Sequence, residues 1–193
     1  CIGGERIYYE EFVYFMLNKP AGVISATEDF VHETVLDLLE PADLVQEPHP
    51  VGRLDIDTEG LLILTNDGQL THQLTSPKKE VDKEYYAIIN GIVTTDDIIK
   101  FKEGLLLKDQ EEEFKTLPAK LEILEVDEEA KTSEIRVTIH EGKFHQVKRM
   151  FEAVDKKVMY LKRERMHTLK LDENLPLGEY RRLTDEELTL LKA

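Results

Sequence analysis

The segment Gly52-Arg53-Leu54-Asp55-Ile56-Asp57-Thr58-Glu59-Gly60 spaces three carboxylates two residues apart between glycines, with an arginine beside them. Three readings compete. A polar turn before the apolar run Leu61–Leu64 is the plain one. A calcium loop is the second, because Asp55, Asp57, Glu59 and Gly60 imitate the first, third, fifth and sixth positions of an EF-hand. It fails downstream, where Leu61-Leu62-Ile63-Leu64 replaces the later ligands and Asn66 stands where a bidentate Glu is needed. The third is catalytic: a cation within reach favours the charged form of a carboxylate, which then serves as nucleophile or base.

The segment Ile139-His140-Glu141-Gly142-Lys143-Phe144-His145-Gln146-Val147-Lys148-Arg149-Met150 is the second candidate. Its histidines stand five apart, which breaks the H-E-x-x-H zinc spacing and keeps His140 and His145 off one helix face. No metal is therefore expected. Cations dominate instead. From Lys143 to Arg165 there are eight Lys and Arg against three acids, a net of +5, within a chain of net charge −15. Such local polarity suits a phosphate-tracking groove, against the plainer reading of a solvated helix face. The third candidate is Lys83-Glu84-Tyr85-Tyr86: adjacent strand tyrosines point to opposite faces, one to a core and the other free to stack on a base. The fourth, Leu17-Asn18-Lys19-Pro20-Ala21-Gly22, is a strand end and turn whose lysine is placed to meet phosphate.

The elements that must position these groups read as follows. Strands are expected over 13–17, 61–64, 85–90, 119–126, 133–140, 157–161 and 166–171. Helices are expected over 34–39, 69–74, 95–103 and 144–154, with a terminal helix opened by the capping box Thr184–Glu187. Residues 40–50, with three prolines, read as a loop. The irregular alternation predicts an α+β fold with a mixed, mostly antiparallel sheet. Hydrophobic residues make up 41% and charged residues 34% of 193 positions, which suits a core large enough to stand without staples. A single cysteine, Cys1, rules out a disulfide framework and a Cys-based zinc cluster. The acidic balance argues against nucleic-acid binding by the whole surface, though not by a local basic site. No apolar run approaches the ~20 residues that span a bilayer. No leader-like segment opens the chain, so the cytoplasm is the expected compartment. No P-loop or dinucleotide fingerprint is present, so no cofactor is expected.

In order and spacing these motifs resemble the RsuA-type branch of the bacterial ribosomal-RNA pseudouridine synthases. The resemblance runs from residue 12 to residue 193 and includes the tail Leu175-Pro176-Leu177-Gly178-Glu179-Tyr180-Arg181. It implies a sheet crossed by a central cleft, a monomer, and isomerisation of one uridine of ribosomal RNA without metal or cofactor. It makes Asp55 the catalytic group and Tyr85 the residue lying against the uracil. It puts Arg53 in the space left by the flipped base, and Lys148 or Arg149 beside Asp55, leaving the choice between the two open. Lys19, Lys143, His145 and Gln146 are the expected RNA contacts, and Asp57 and Glu59 shape the turn. The branch commonly carries an N-terminal S4-like domain, for which residues 1–11 read as a trailing linker. Ser25-Ala26-Thr27-Glu28-Asp29 followed by Thr34-Val35-Leu36-Asp37-Leu38-Leu39 is closest to members that modify 16S rRNA at the position numbered 516, while relatives acting on 23S rRNA share the core motifs and stand as the alternative. Two other classes compete: a noncatalytic RNA-binding or ribosome-assembly module, and a carboxylate-paired glycoside hydrolase. The absence of tryptophan speaks against the second.

Overall fold

A computed structural model describes residues 12–108, 113–143 and 145–193. The stretch read as a linker, 1–11, lies outside the described residues, as does Phe144 of the cationic motif. The strands are β1 (Tyr14–Lys19), β2 (His49–Pro50), β3 (Glu59–Thr65), β4 (Lys83–Asn90), β5 (Leu106–Lys108), β6 (Glu113–Lys115), β7 (Lys120–Asp127), β8 (Thr132–Ile139), β9 (Lys157–Met166), β10 (Leu169–Lys170) and β11 (Tyr180–Arg182). The α-helices are α1 (Pro41–Leu44), α2 (Gly68–Thr75), α3 (Thr95–Glu103), α4 (Gln146–Glu152) and α5 (Asp185–Lys192).

One nine-stranded sheet runs β11-β1-β3-β9-β4-β8-β7, with β2 beside β3 and β10 beside β9; β5 and β6 form a separate ribbon. Every pairing in the large sheet is antiparallel except β3 with β9. The expected α+β class and mostly antiparallel sheet are therefore observed. β1 and β3 read as unbroken apolar runs because both their faces are covered. Phe15, Leu17, Leu62 and Leu64 join one core with Ala87, Ile89, Phe101 and Phe151, while Met16, Leu61 and Ile63 join a second with Leu70, Leu74 and Leu191. The Phe101 and Phe151 rings, 4.9 Å apart, pin α3 to α4. At α5 the capping box forms as read: Thr184 Oγ1 accepts from the Glu187 amide at 3.1 Å, and Glu187 Oε1 accepts from the Thr184 amide at 2.9 Å.

Several boundaries differ from expectation. The two strands read over 157–161 and 166–171 are one long strand, β9, followed by the short β10. The charged stretch Lys162-Arg163-Glu164-Arg165 hid this continuity. Two of its arginines bond into the sheet: Arg163 Nε donates to the Leu61 carbonyl at 2.9 Å and Arg165 Nη1 to the His167 carbonyl at 2.6 Å. The helix read over 34–39 is a 3-10 turn, Val35–Leu38. Residues 40–50 hold α1, with Pro41 in the first turn where its missing N–H costs nothing, and β2. The short β5, β6 and β11 carry too few residues to show a period.

Gly60 is required by close approach. It has φ +109°, and a Cβ there would lie 2.7 Å from the Arg163 nitrogen and closer still to its carbonyl oxygen. It is the parallel partner of Arg163 across β3 and β9. Gly60→Ala must push these strands apart, and a loss of about 3 kcal/mol or more in urea unfolding is expected. An unchanged midpoint would contradict the contact.

Candidate active site

The loop between β2 and β3 carries Arg53, Asp55 and Asp57, and it is held from behind. Lys19, at the end of β1 and 0% exposed, sends its Nζ to the carbonyls of Pro20 (3.0 Å), Asp55 (3.0 Å) and Thr58 (2.8 Å). Ser25 Oγ and the Leu54 backbone exchange two hydrogen bonds of 3.0 Å, and the Gly22 amide donates to the Ile56 carbonyl at 2.8 Å. The loop carbonyls thus bond inward, which leaves the Asp55 side chain facing the cleft. Burial pulls the Lys19 ammonium down to about 8, against the attraction of Asp57, Asp55 and Glu59. The expectation that Lys19 meets phosphate is corrected: a fully buried ammonium engaged by backbone carbonyls is not presented to RNA.

The opposite wall is α4 and the turn before it. Lys148 Nζ lies 3.1 Å from Asp55 Oδ2 and 2.7 Å from Asp57 Oδ1, bridging the two carboxylates. Nε2 of His145, which has φ 48°, is 3.3 Å from Asp55 Oδ1. Burial lowers the Lys148 ammonium, but its hydrogen bonds to Asp57 and Asp55 outweigh this and the net shift is upward. The same hydrogen bond from Lys148 holds the Asp57 carboxyl below its usual range. Arg149 turns the other way, its guanidinium over the Phe114 ring at 5.2 Å, with the Lys143 ammonium over the same ring at 5.6 Å. Of the two cations left open by the sequence, Lys148 is the one beside Asp55.

The cleft between these walls has a volume of about 450 Å³, in the range of small-ligand sites. Tyr85, 8% exposed, lies in its floor with Lys83, Leu161, Arg163 and Met166, and Arg53 stands exposed at its rim. Tyr86 points to the other face of β4, where its hydroxyl bonds Glu134 and its ring meets Tyr160 edge-on. Glu59 accepts from the Tyr160 hydroxyl at 2.7 Å, away from Asp55 and Lys148.

Two further expectations change. Gln146 is buried rather than offered to RNA: its Nε2 donates to Glu141 Oε2 at 3.0 Å and its Oε1 accepts from the Lys143 amide at 3.1 Å, so it braces the turn that aims His145. The eight cations of residues 143–165 do not form one groove. Lys148 is held by Asp55 and Asp57, Lys156 pairs with Asp97 at 3.0 Å, Arg165 reaches Glu84 at 3.4 Å, and Arg163 is buried. Summed charge along a segment cannot separate solvated cations from those neutralised across the fold.

Two cations of the cleft carry no role in the sequence reading, Lys83 and Arg163. Lys83 was legible, because it stands two residues before Tyr85 and so shares its strand face. Arg163 was not, because only the pairing of β4 with β9 sets it opposite Tyr85. Burial pulls the Lys83 ammonium to about 8, with the nearby Arg163 charge adding to the fall and Glu141 opposing it. Its ordinary value is 10.5, so between about 8 and 10.5 the unfolded chain holds a proton that the folded chain has released. Stability contributed at this position therefore rises with pH through that window. In urea unfolding the wild type should gain on Lys83→Met across it, by at most about 1.4 kcal/mol per pH unit. A pH-independent difference would contradict a strained ammonium.

Among the described residues, no group of three or more His, Cys, Asp or Glu side chains is arranged to hold a metal ion, and no helix is long and apolar enough to cross a membrane.

A nucleoside-sized cleft across a mixed sheet, lined by a lysine-held Asp55 and a buried tyrosine, is the site of an enzyme that works on a single base. The family model described as RNA pseudouridylate synthase matches residues 13–153, and the chain belongs to that family. A Bacillus subtilis protein described as an uncharacterized RNA pseudouridine synthase is 51% identical, over 97% of this chain and 77% of its own length. Ribosomal small subunit pseudouridine synthase A of Vibrio cholerae is 45% identical over 91% of this chain and 72% of its own. Ribosomal large subunit pseudouridine synthase B of Bacillus subtilis is 44% identical over all of this chain and 76% of its own. A crystal structure of a pseudouridylate synthase superposes with a TM-score of 0.85 at 41% identity, covering 95% of this chain and 75% of that one.

Proposed function

We propose that this protein converts one uridine of ribosomal RNA to pseudouridine, and that the uridine is position 516 of 16S rRNA. The observation that carries the reading is Asp55 facing the cleft, held by Lys148 at 3.1 Å and His145 at 3.3 Å, across from the buried Tyr85. The likeness to enzymes named for ribosomal RNA supports the substrate class. The segments at 25–29 and 34–39 favour the small subunit.

The reaction breaks the bond from N1 of uracil to C1′ of ribose, turns the base, and joins C5 to C1′. The proton on C5 is then lost and N1 gains one, so no electrons enter or leave. The base must first leave the RNA stack, which costs a few kcal/mol. Arg53 at the rim fills the vacated space and Tyr85 packs on the extruded ring. Asp55 acts as a carboxylate toward the sugar, either attacking it or taking a sugar proton while the glycosidic bond breaks. Lys148 holds that carboxylate in place as a point charge, without the bidentate fork an arginine would offer. Lys143 and Arg53, both exposed and lining the cleft, meet backbone phosphate.

The test is reverse-transcription stop mapping after carbodiimide treatment of ribosomal RNA from cells with and without the gene. Loss of the stop at 516 is expected. A second reading, a uridine of 23S rRNA, is favoured by the large-subunit relative at 44% identity. It would be adopted if the stop at 516 persists and one in 23S rRNA disappears. No change in either RNA would overturn both.

A further inference from the structure

Among the described residues, two cations of the cleft floor form no salt bridge. Arg163 is 1% exposed, yet its Nη2 has no hydrogen-bond partner among them; its Nε is spent on the Leu61 carbonyl. Lys83 has one hydrogen bond, a long one of 3.5 Å to the Glu141 carbonyl. The Glu141 carboxylate attracts it without a salt bridge, its Oε2 being turned to the Leu117 amide at 2.6 Å and to Gln146 at 3.0 Å. Asp55 has its own cation in Lys148. Buried charged groups are normally paired, so the unpartnered Arg163 Nη2, beside a half-buried lysine with one long hydrogen bond, marks the place of an acceptor at the bottom of the cleft.

The position narrows what that acceptor is. Arg163 is the cross-strand neighbour of Tyr85, and Lys83 is two residues from Tyr85 on the same face of β4. A ring packed on Tyr85 therefore presents its edge to both. Phosphates of an RNA strand would stay at the rim, where Arg53 and Lys143 are exposed, since burying a hydrated anion at the floor is costly. Lysine and arginine only donate. A donor-only edge set against position 4 donates to the uracil O4 and meets the exocyclic amine of cytosine donor against donor, whereas the 2-carbonyl is common to both bases.

We propose that Lys83 and Arg163 form a base-reading edge that binds O4 of the extruded uracil and rejects cytosine. This rests on the reading of the cleft as a uridine site and deepens it, making the two side chains specificity-determining. A polar site that expects an acceptor discriminates strongly, because the wrong base leaves buried groups unpaired.

Binding tests the idea without catalysis. Uridine, cytidine and their 5′-monophosphates are titrated into the wild type, Lys83→Met and Lys83→Arg by NMR, with thermal melts to confirm folding. The wild type should bind uridine at least about tenfold more tightly than cytidine, the scale of one charge-assisted hydrogen bond. Lys83→Met should lose that preference by weakening uridine alone, and Lys83→Arg should keep most of it. Equal binding of uridine and cytidine by the wild type would overturn the proposal. So would a Lys83→Met variant that weakens both monophosphates and spares both nucleosides, which is the signature of a phosphate site. A uridine preference lost in Lys83→Met while ribosomal RNA shows no missing pseudouridine would uphold the base-reading edge and fault the assigned reaction instead.

Discussion

Asp55→Asn should abolish pseudouridine formation, with a fall in turnover of at least about 10³-fold, while leaving the fold intact. The amide is isosteric but carries no charge, so it neither attacks a sugar carbon nor takes a proton from it. The structural cost is small because the Asp55 side chain is 29% exposed and its partner Lys148 is 21% exposed, and partly solvated pairs contribute about 1 kcal/mol or less. The loop is held through backbone carbonyls by Lys19, which the substitution leaves untouched. The check is release of tritium from 5-tritiated uridine in ribosomal RNA, alongside a thermal melt. Retained activity in a folded Asp55→Asn protein would remove Asp55 from the reaction.

Lys148→Met should cost about 10²-fold in turnover, and Arg149→Met little. Both are cations in one short helix, and only their directions differ. Lys148 spans Asp55 and Asp57; without it those carboxylates lose the charge that orients them, and the optimum of a held carboxylate is lost. Arg149 lies over Phe114, and removing that contact costs on the order of 0.5–1 kcal/mol of stability. Lys148→Arg should restore part of the rate, which a purely structural lysine would not require. The loss should fall on kcat more than on KM, because Asp55 meets the reacting sugar and not the surrounding RNA. Equal, mild losses at both positions would reject a working ion pair between Lys148 and Asp55.

Much of this protein was legible in the order of its residues. The apolar runs of β1 and β3, the alternation of β4 and β8, and the capping box of α5 are local signals, written in neighbours a few positions apart. So were the spacing of Gly52-Arg53-Leu54-Asp55 and of Lys83-Glu84-Tyr85, and the histidine spacing that breaks a zinc motif. The tertiary structure decided which charges are spent and which are left over. Lys19 and Gln146, equivalent on paper to any surface lysine or glutamine, are consumed by carbonyls and by Glu141. Lys148 and Arg149, adjacent in the chain, diverge by the turn of a helix. Arg163 becomes a floor residue only because β9 runs beside β4 and beside Gly60 of β3. Local structure follows from propensity and period, which the chain carries in itself. The state of a buried charge depends on whichever partner the fold brings within a few ångströms, and for Arg163 that partner, the Leu61 carbonyl, lies 102 residues away.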